Sequence, residues 1–116
     1  MLFKPIPRAI LSDTVTLKQE SDSDDGYAGN GTLTLTTIKN VYFEPDHKVI
    51  KTNTNEEKLI QGILFIDRIN SKPFIVPQTD DAVFYGDDTE NPLRVESVSV
   101  IKALHGVIHH LEVTLT

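Results

Sequence analysis

His109-His110-Leu111-Glu112-Val113-Thr114-Leu115-Thr116 decides the fold class. Leu111, Val113 and Leu115 fall on one side of a period-2 pattern, and His110, Glu112 and Thr114 fall on the other, as in a half-buried strand. A strand of this kind is expected to complete a sheet. Working back, residues 93–103 alternate in the same way, with Leu93 and Val95 followed by Val98 and Val100 after a slip of one residue, and Gly106 marks the hairpin between the two strands.

Residues 59–67, Leu-Ile-Gln-Gly-Ile-Leu-Phe-Ile-Asp, are the most hydrophobic stretch. β-Branched residues and Gly62 favour a central strand buried on both faces. Asn70-Ser71-Lys72-Pro73 reads as a turn, residues 74–76 as a short strand, and residues 82–85 as another, closed by the turn-rich residues 86–92. Residues 32–44 form a Thr-, Ile- and Val-rich strand in which the parity of the apolar positions changes twice. Leu33 and Leu35 give way to Ile38, and Ile38 to Val41 and Phe43. A bulge or bend would account for each change, because one extra residue reverses the buried face. Pro45 is expected to stop this strand, leaving residues 46–58 as a polar loop with a possible short pairing at Val49 and Ile50. A first strand occupies residues 14–18, with Ser12 and Asp13 as turn formers before it. These segments describe an all-β protein of six to eight short strands in one domain spanning residues 1–116, a small barrel or two-sheet sandwich with long loops.

Two segments lie outside that pattern. Pro5 and Pro7 each fix φ and bias the preceding residue away from helix, so residues 1–10 read as an extended arm. It carries Leu2, Phe3, Ile6 and Ile10 and is expected to dock on an adjacent subunit or partner. Residues 20–31, with Glu20, Asp22, Asp24, Asp25, Tyr27 and three glycines, read as a flexible acidic surface loop.

Composition narrows the function classes. Apolar residues make up 39% of the 116, mostly Ile, Leu and Val, so the core should be aliphatic and thin. The absence of Cys removes thiolate metal sites, disulfides and Cys nucleophiles. No apolar run approaches the ~20 residues of a spanning helix, and a soluble protein without membrane contact is expected. Seventeen acids against eleven bases, a net charge of −6, oppose binding through nucleic-acid phosphates.

No chemistry-bearing constellation is complete. His109 and His110, as strand neighbours, should point to opposite faces and not share an ion. A metal site would need His110 and Glu112 plus donors from elsewhere, and no metal or cofactor is expected. Aligning Gly26 with the glycine of a calcium loop puts Thr32 where a bidentate Glu belongs, so that match fails. There is no Gly-x-Ser-x-Gly elbow and no phosphate-cradling loop. Asp67, at a strand end, reads as a turn initiator, and the chain reads as a non-enzyme.

Lys4-Pro5-Ile6-Pro7, Leu11-Ser12-Asp13-Thr14-Val15, Ile38-Lys39-Asn40-Val41-Tyr42-Phe43, Leu64-Phe65-Ile66-Asp67 with Asn70-Ser71, and His109-His110-Leu111-Glu112-Val113 occur in that order along the chain. In this the chain resembles the minor capsid proteins of tailed phages and prophages of Gram-positive bacteria. It departs from them at Leu111, where that family usually has an aromatic residue. The resemblance implies a virion protein made in the host cytoplasm, a head-to-tail connector of the stopper or head-completion type. Such proteins form a homo-oligomeric ring, though the isolated chain could be a monomer. The implied partners are the portal or adaptor above and a tail-completion or terminator protein below. Packaged DNA is retained and passes an acidic wall without specific binding, and residues 22–27 of the acidic loop are the candidate gate. The alternative from another class is a carbohydrate- or peptide-binding module of a tail or baseplate, for which the absence of Trp and the presence of only three Tyr supply little of an aromatic platform.

Overall fold

Six antiparallel strands close into a barrel in the computed structural model, which describes residues 4–21, 32–51 and 54–116. They are β1 (Asp13–Ser21), β2 (Thr32–Lys51), β3 (Glu57–Asp67), β4 (Ala82–Tyr85), β5 (Leu93–Lys102) and β6 (Ile108–Leu115), in the order β1-β2-β3-β6-β5-β4, with β4 returning to β1. The closing strand β6 lies between β3 and β5, opposite Gly62 to Asp67 on one side and Val95 to Lys102 on the other. Of the two architectures read from the sequence, the barrel is the one formed.

The lumen is filled by one aliphatic cluster. Val15, Leu17, Ile38, Val41, Leu64, Ile66, Val83, Val95, Leu111, Val113 and Leu115 are buried there, with Phe43, Phe74, Ile75, Leu93, Val98 and Ile108 packed around them. Each fully buried Val, Leu or Ile contributes about 1.5–3 kcal/mol, so this cluster is the main source of stability. In β3 the burial alternates: Ile60, Gly62, Leu64 and Ile66 face inward while the residues between them are partly exposed. The expectation of burial on both faces is corrected, because a six-stranded ring has a single interior.

The register locates the parity changes. Asp13 pairs with Val41 and Thr14 with Lys39, leaving Asn40 as an extra residue with φ 60°. This bulge accounts for the change from Ile38 to Val41. Glu96 is a second such residue, since Val95 pairs with Leu115 and Ser97 with Thr114. The earlier change, from Leu35 to Ile38, is not a bulge. Pairing with β1 is continuous from Thr32 to Ile38, and Leu33 and Leu35 lie outside the barrel, 57% and 66% exposed.

Pro45 does not end β2. It pairs opposite Gly62, an irregularity follows, and pairing resumes at Lys48 opposite Ile60. On the β1 side the ladder has already ended at Val41, so the N–H that proline lacks is not needed there. Residues 46–51 and 57–58, expected in a loop, are therefore strand. Residues 74–76, expected as a strand, form none. Pro73 and Pro77 flank them without N–H donors, and Phe74 instead packs against the core with the Arg68 guanidinium 5.0 Å from its ring centroid.

Glu20 and Ser21 belong to β1, opposite Leu33 and Thr32, so the acidic connection begins later than expected. Because β4 covers β1 only from Val15 to Lys18, the outer end of the β1–β2 hairpin runs past the barrel wall. The Cα radius of gyration is 15.3 Å, against about 13 Å for a compact chain of this length. At the seam Asp13 accepts hydrogen bonds from the Phe43 N–H (2.9 Å) and the Tyr85 hydroxyl (2.8 Å), joining the start of β1 to the middle of β2 and the end of β4. That hydroxyl contact, with the nearby carboxylate charge, raises the Tyr85 pKa above its ordinary value.

Candidate functional site

The turn after β3 is organised by one buried carboxylate. Asp67 is fully buried, and its Oδ2 accepts the N–H groups of Ile69 (3.0 Å) and Asn70 (2.8 Å), an Asx turn that confirms it as a turn initiator. Its Oδ1 accepts the N–H of Ile6 at 2.9 Å, and Asn70 Nδ2 donates to the Ile6 carbonyl at 2.7 Å. Both backbone groups of Ile6 are thereby tied to the turn. Ser71 Oγ receives the Asp67 N–H at 2.8 Å and donates to the Asn40 carbonyl, while Asn40 Nδ2 donates to the Asn70 carbonyl at 3.2 Å. Lys39 and Lys72 exchange both backbone hydrogen bonds beside them.

The arm therefore docks on its own barrel. Residues 8–10 form a turn, with the Ile10 and Leu11 N–H groups directed to the Pro7 carbonyl, and Leu11 is buried. The expectation that residues 1–10 are extended throughout is corrected for this part. Ile6 and Ile10 line a groove with Tyr42, Glu44, Phe65 and His110. Pro5 and Pro7 flank the anchored Ile6, whereas Leu2 and Phe3 lie outside the described residues.

His109 and His110 do not point apart. His110 pairs with Ile101 but Lys102 pairs with Ile108, so His109 is a bulge residue that breaks the alternation. Its Nδ1 lies 2.8 Å from His110 Nδ1, with the rings edge to face. His109 Nε2 contacts the Lys4 carbonyl at 2.6 Å, and His110 Nε2 contacts Glu112 Oε2 at 2.9 Å. Leu111 and Val113 turn inward to the core from the same strand. Among the described residues no group of three or more His, Asp or Glu is arranged to hold a metal ion.

Segments far apart in sequence thus meet at one end of the barrel: Lys4 and Ile6, Asn40, Asp67 with Asn70 and Ser71, and His109. Their order in the chain was readable, but their hydrogen bonding to one another was not. Asn40 occupies a left-handed conformation and also donates to the turn. Asn40→Ala should lower stability by about 1–2 kcal/mol, and Asn40→Gly by less, because glycine relieves the backbone but not the lost hydrogen bond. Urea denaturation midpoints check this order.

A second surface had only the unexplained parity of Leu33 and Leu35 as its signal. These two leucines, with Thr16, Lys18 and Phe84, line an open outer groove of about 590 Å³, walled by Asp87, Asp88 and Thr89. Asp88 has a lowered pKa because the N–H groups of Glu90 and Asn91 donate to its carboxylate. Asp22, Asp24, Asp25 and Tyr27 of the acidic loop lie outside the described residues.

A closed aliphatic barrel with a buried polar network that fastens its own arm and turns belongs to the class of small all-β domains. The model of the Minor capsid protein family matches residues 7–115, and the chain belongs to this family of phage minor capsid proteins. The family is structural, and its members are virion components that associate with other virion proteins. No curated protein and no solved structure matches the chain. No helix among the described residues is long and apolar enough to cross a membrane.

Proposed function

We propose that this minor capsid protein is a head-to-tail connector component of the stopper or head-completion type. In this reading it forms a ring below the portal or adaptor, retains packaged DNA, and offers the surface on which a tail-completion or terminator protein docks. The observation that carries the reading is the β1–β2 hairpin, which runs past the wall of a small barrel and is joined by a connection containing Asp22, Asp24 and Asp25. Repeated around a ring and turned to the lumen, these acids would repel phosphates and let DNA slide past. The Leu33, Leu35 and Phe84 groove on the outer face of the same hairpin suits contact with other virion proteins. The carbohydrate-binding reading has less support, since Tyr42 and Phe65, ring centroids 5.9 Å apart, are half-buried beside Ile6 and Ile10.

Replacing residues 22–31 by a short Gly-Ser turn tests the gate. The urea midpoint of the isolated domain should stay within about 0.5 kcal/mol of wild type, because the deleted residues are too polar to add to the core. DNA retention in assembled heads should fall. Normal retention and infectivity would refute gating, and collapse of the domain would make the connection structural. For the arm, the informative truncation removes residues 1–3 only, since a cut at residue 8 also removes Ile6 and strips Asp67 of a partner. Cryo-microscopy of phage necks carrying that truncation should show loss of this subunit if Leu2 and Phe3 bind a neighbour, and full occupancy would remove the arm from assembly.

A further inference from the structure

The outer face of the β1–β2 hairpin is complementary to itself. Leu33 lies directly opposite Glu20, and Leu35 directly opposite Lys18. Residues opposite one another in an antiparallel pair share a face, and because Leu17 and Ile38 are buried in the lumen, the shared face here is the outer one. Leu33 and Leu35 are largely exposed, Glu20 is exposed and Lys18 half-buried. The four side chains form a square. The leucines make one column on β2, the two opposite charges make another on β1, and the rows are about 7 Å apart, two residues of strand. Between the rows lies the Gln19–Thr34 pair, whose side chains take the opposite face.

We propose that this face binds a second copy of itself about a two-fold axis that crosses the strands over the Gln19–Thr34 pair. Such an axis exchanges the rows and keeps the columns. Leu33 then meets the partner's Leu35 and Glu20 meets the partner's Lys18, and each contact occurs twice. An axis along the strands would exchange the columns instead and set every leucine against a charge, which costs desolvation without a partner. Charge complementarity therefore selects both the occupant and its orientation, an isologous pairing of two sheets face to face with strands within about 30° of one another. Nothing in the wall obstructs that approach beyond Lys18, where β4 stops covering β1.

The leucines supply the attraction and the charge pairs fix the register. Two leucines and two charges per copy make a smaller patch than the roughly 1,200–2,000 Å² of stable complexes, and the net charge of −6 on each copy opposes approach. At physiological salt, charges more than about 8 Å apart are largely screened, so the pairs in contact outweigh the distant acids. The result is a weak dimer that depends on concentration. A two-fold contact uses up its own face and does not propagate around a ring, so the dimer is a state of the free chain and is independent of the connector reading. The same leucines continue into the groove with Phe84, and a virion partner that takes this groove would have to part the two copies.

Sedimentation equilibrium of the full chain, carried up to about 1 mM to reach weak affinities, tests the pairing. Wild type should form a dimer and nothing larger. Leu35→Ser removes apolar contact at both ends of the axis and should weaken the dimer at least about tenfold. K18E sets acid against acid at both charge contacts and E20K sets base against base, so each alone should weaken it by at least about the same factor. Mixed in equal amounts, K18E and E20K should associate with each other, because acid then meets base twice. The double variant K18E/E20K should dimerise like wild type. This pattern of loss and recovery is specific to the exchange of rows. A wild-type chain that stays monomeric over the whole range, a mixture no more associated than its components, or a single variant that dimerises as tightly as wild type would overturn the proposal. A ring in place of the dimer would also overturn it while leaving the connector reading intact.

Discussion

Asp67→Ala should lower unfolding free energy by about 3–5 kcal/mol, the range for leaving buried partners of a charged group unpaired. The carboxylate is fully buried and accepts three backbone N–H groups, those of Ile6, Ile69 and Asn70. Alanine supplies no acceptor, and at a site with no exposed surface, water replaces the lost oxygens poorly. A domain of this size has roughly 5–15 kcal/mol of stability in total, so the loss is a large share of it. The damage should also be directional. The arm loses its Asp67 anchor while Asn70 Nδ2 can still reach the Ile6 carbonyl, so hydrogen exchange at Ile6 should accelerate more than at core amides of β3. Asp67→Asn keeps one acceptor oxygen but faces an NH₂ toward backbone N–H, and should fall between wild type and alanine. Guanidinium unfolding of the three proteins checks the order, and an Asp67→Ala midpoint equal to wild type would contradict this account of the turn.

Gly62→Ala should cost about 3 kcal/mol, at the upper end of the range for overpacking a core. A Cβ on Gly62 would lie 2.5 Å from the Glu44 carbonyl oxygen and 2.6 and 2.7 Å from two atoms of the Phe43 ring. The ring could rotate away, but the carbonyl belongs to the backbone of β2, paired to β3 at this point. Relief therefore requires β2 and β3 to separate where Pro45 already interrupts the ladder. Phe43 also packs against the core and lies 5.5 Å, centroid to centroid, from Tyr85 across the barrel seam. Thermal unfolding should show a lowered midpoint together with a changed Tyr85 environment in near-ultraviolet dichroism. An unshifted midpoint would mean that β2 does not approach β3 this closely.

The turn at Asp67 and the His109 bulge hold the arm at one end of the barrel, while the acidic connection joins β1 to β2 on a hairpin that leaves the wall. A variant destabilised at Asp67 is therefore expected to loosen the arm before the barrel itself unfolds.

Most of the strands were legible from the chain alone because their information is local. Alternation in Leu111, Val113 and Leu115, the β-branched run ending at Ile66, and the turn residues at 86–92 and Gly106 act within a few positions of themselves, and the all-β class follows from them. The bulge at Asn40 was visible as a parity change for the same reason. Where reading failed, the deciding partner was distant in sequence. Pro45 looked like a stop, yet β2 continues because its β1 side is already unpaired there. Leu33 and Leu35 looked inward-facing, yet they lie outside because Ile38 and Val15, paired across the hairpin, had set which face is the lumen. His109 and His110 looked opposed until pairing with β5 made His109 a bulge. Closure of the barrel over sandwich packing, the burial of Asp67 beneath Ile6 and the contact of the two imidazoles all depend on which strands become neighbours. Periodicity specifies the faces of a strand, but only the assembled sheet specifies what those faces meet.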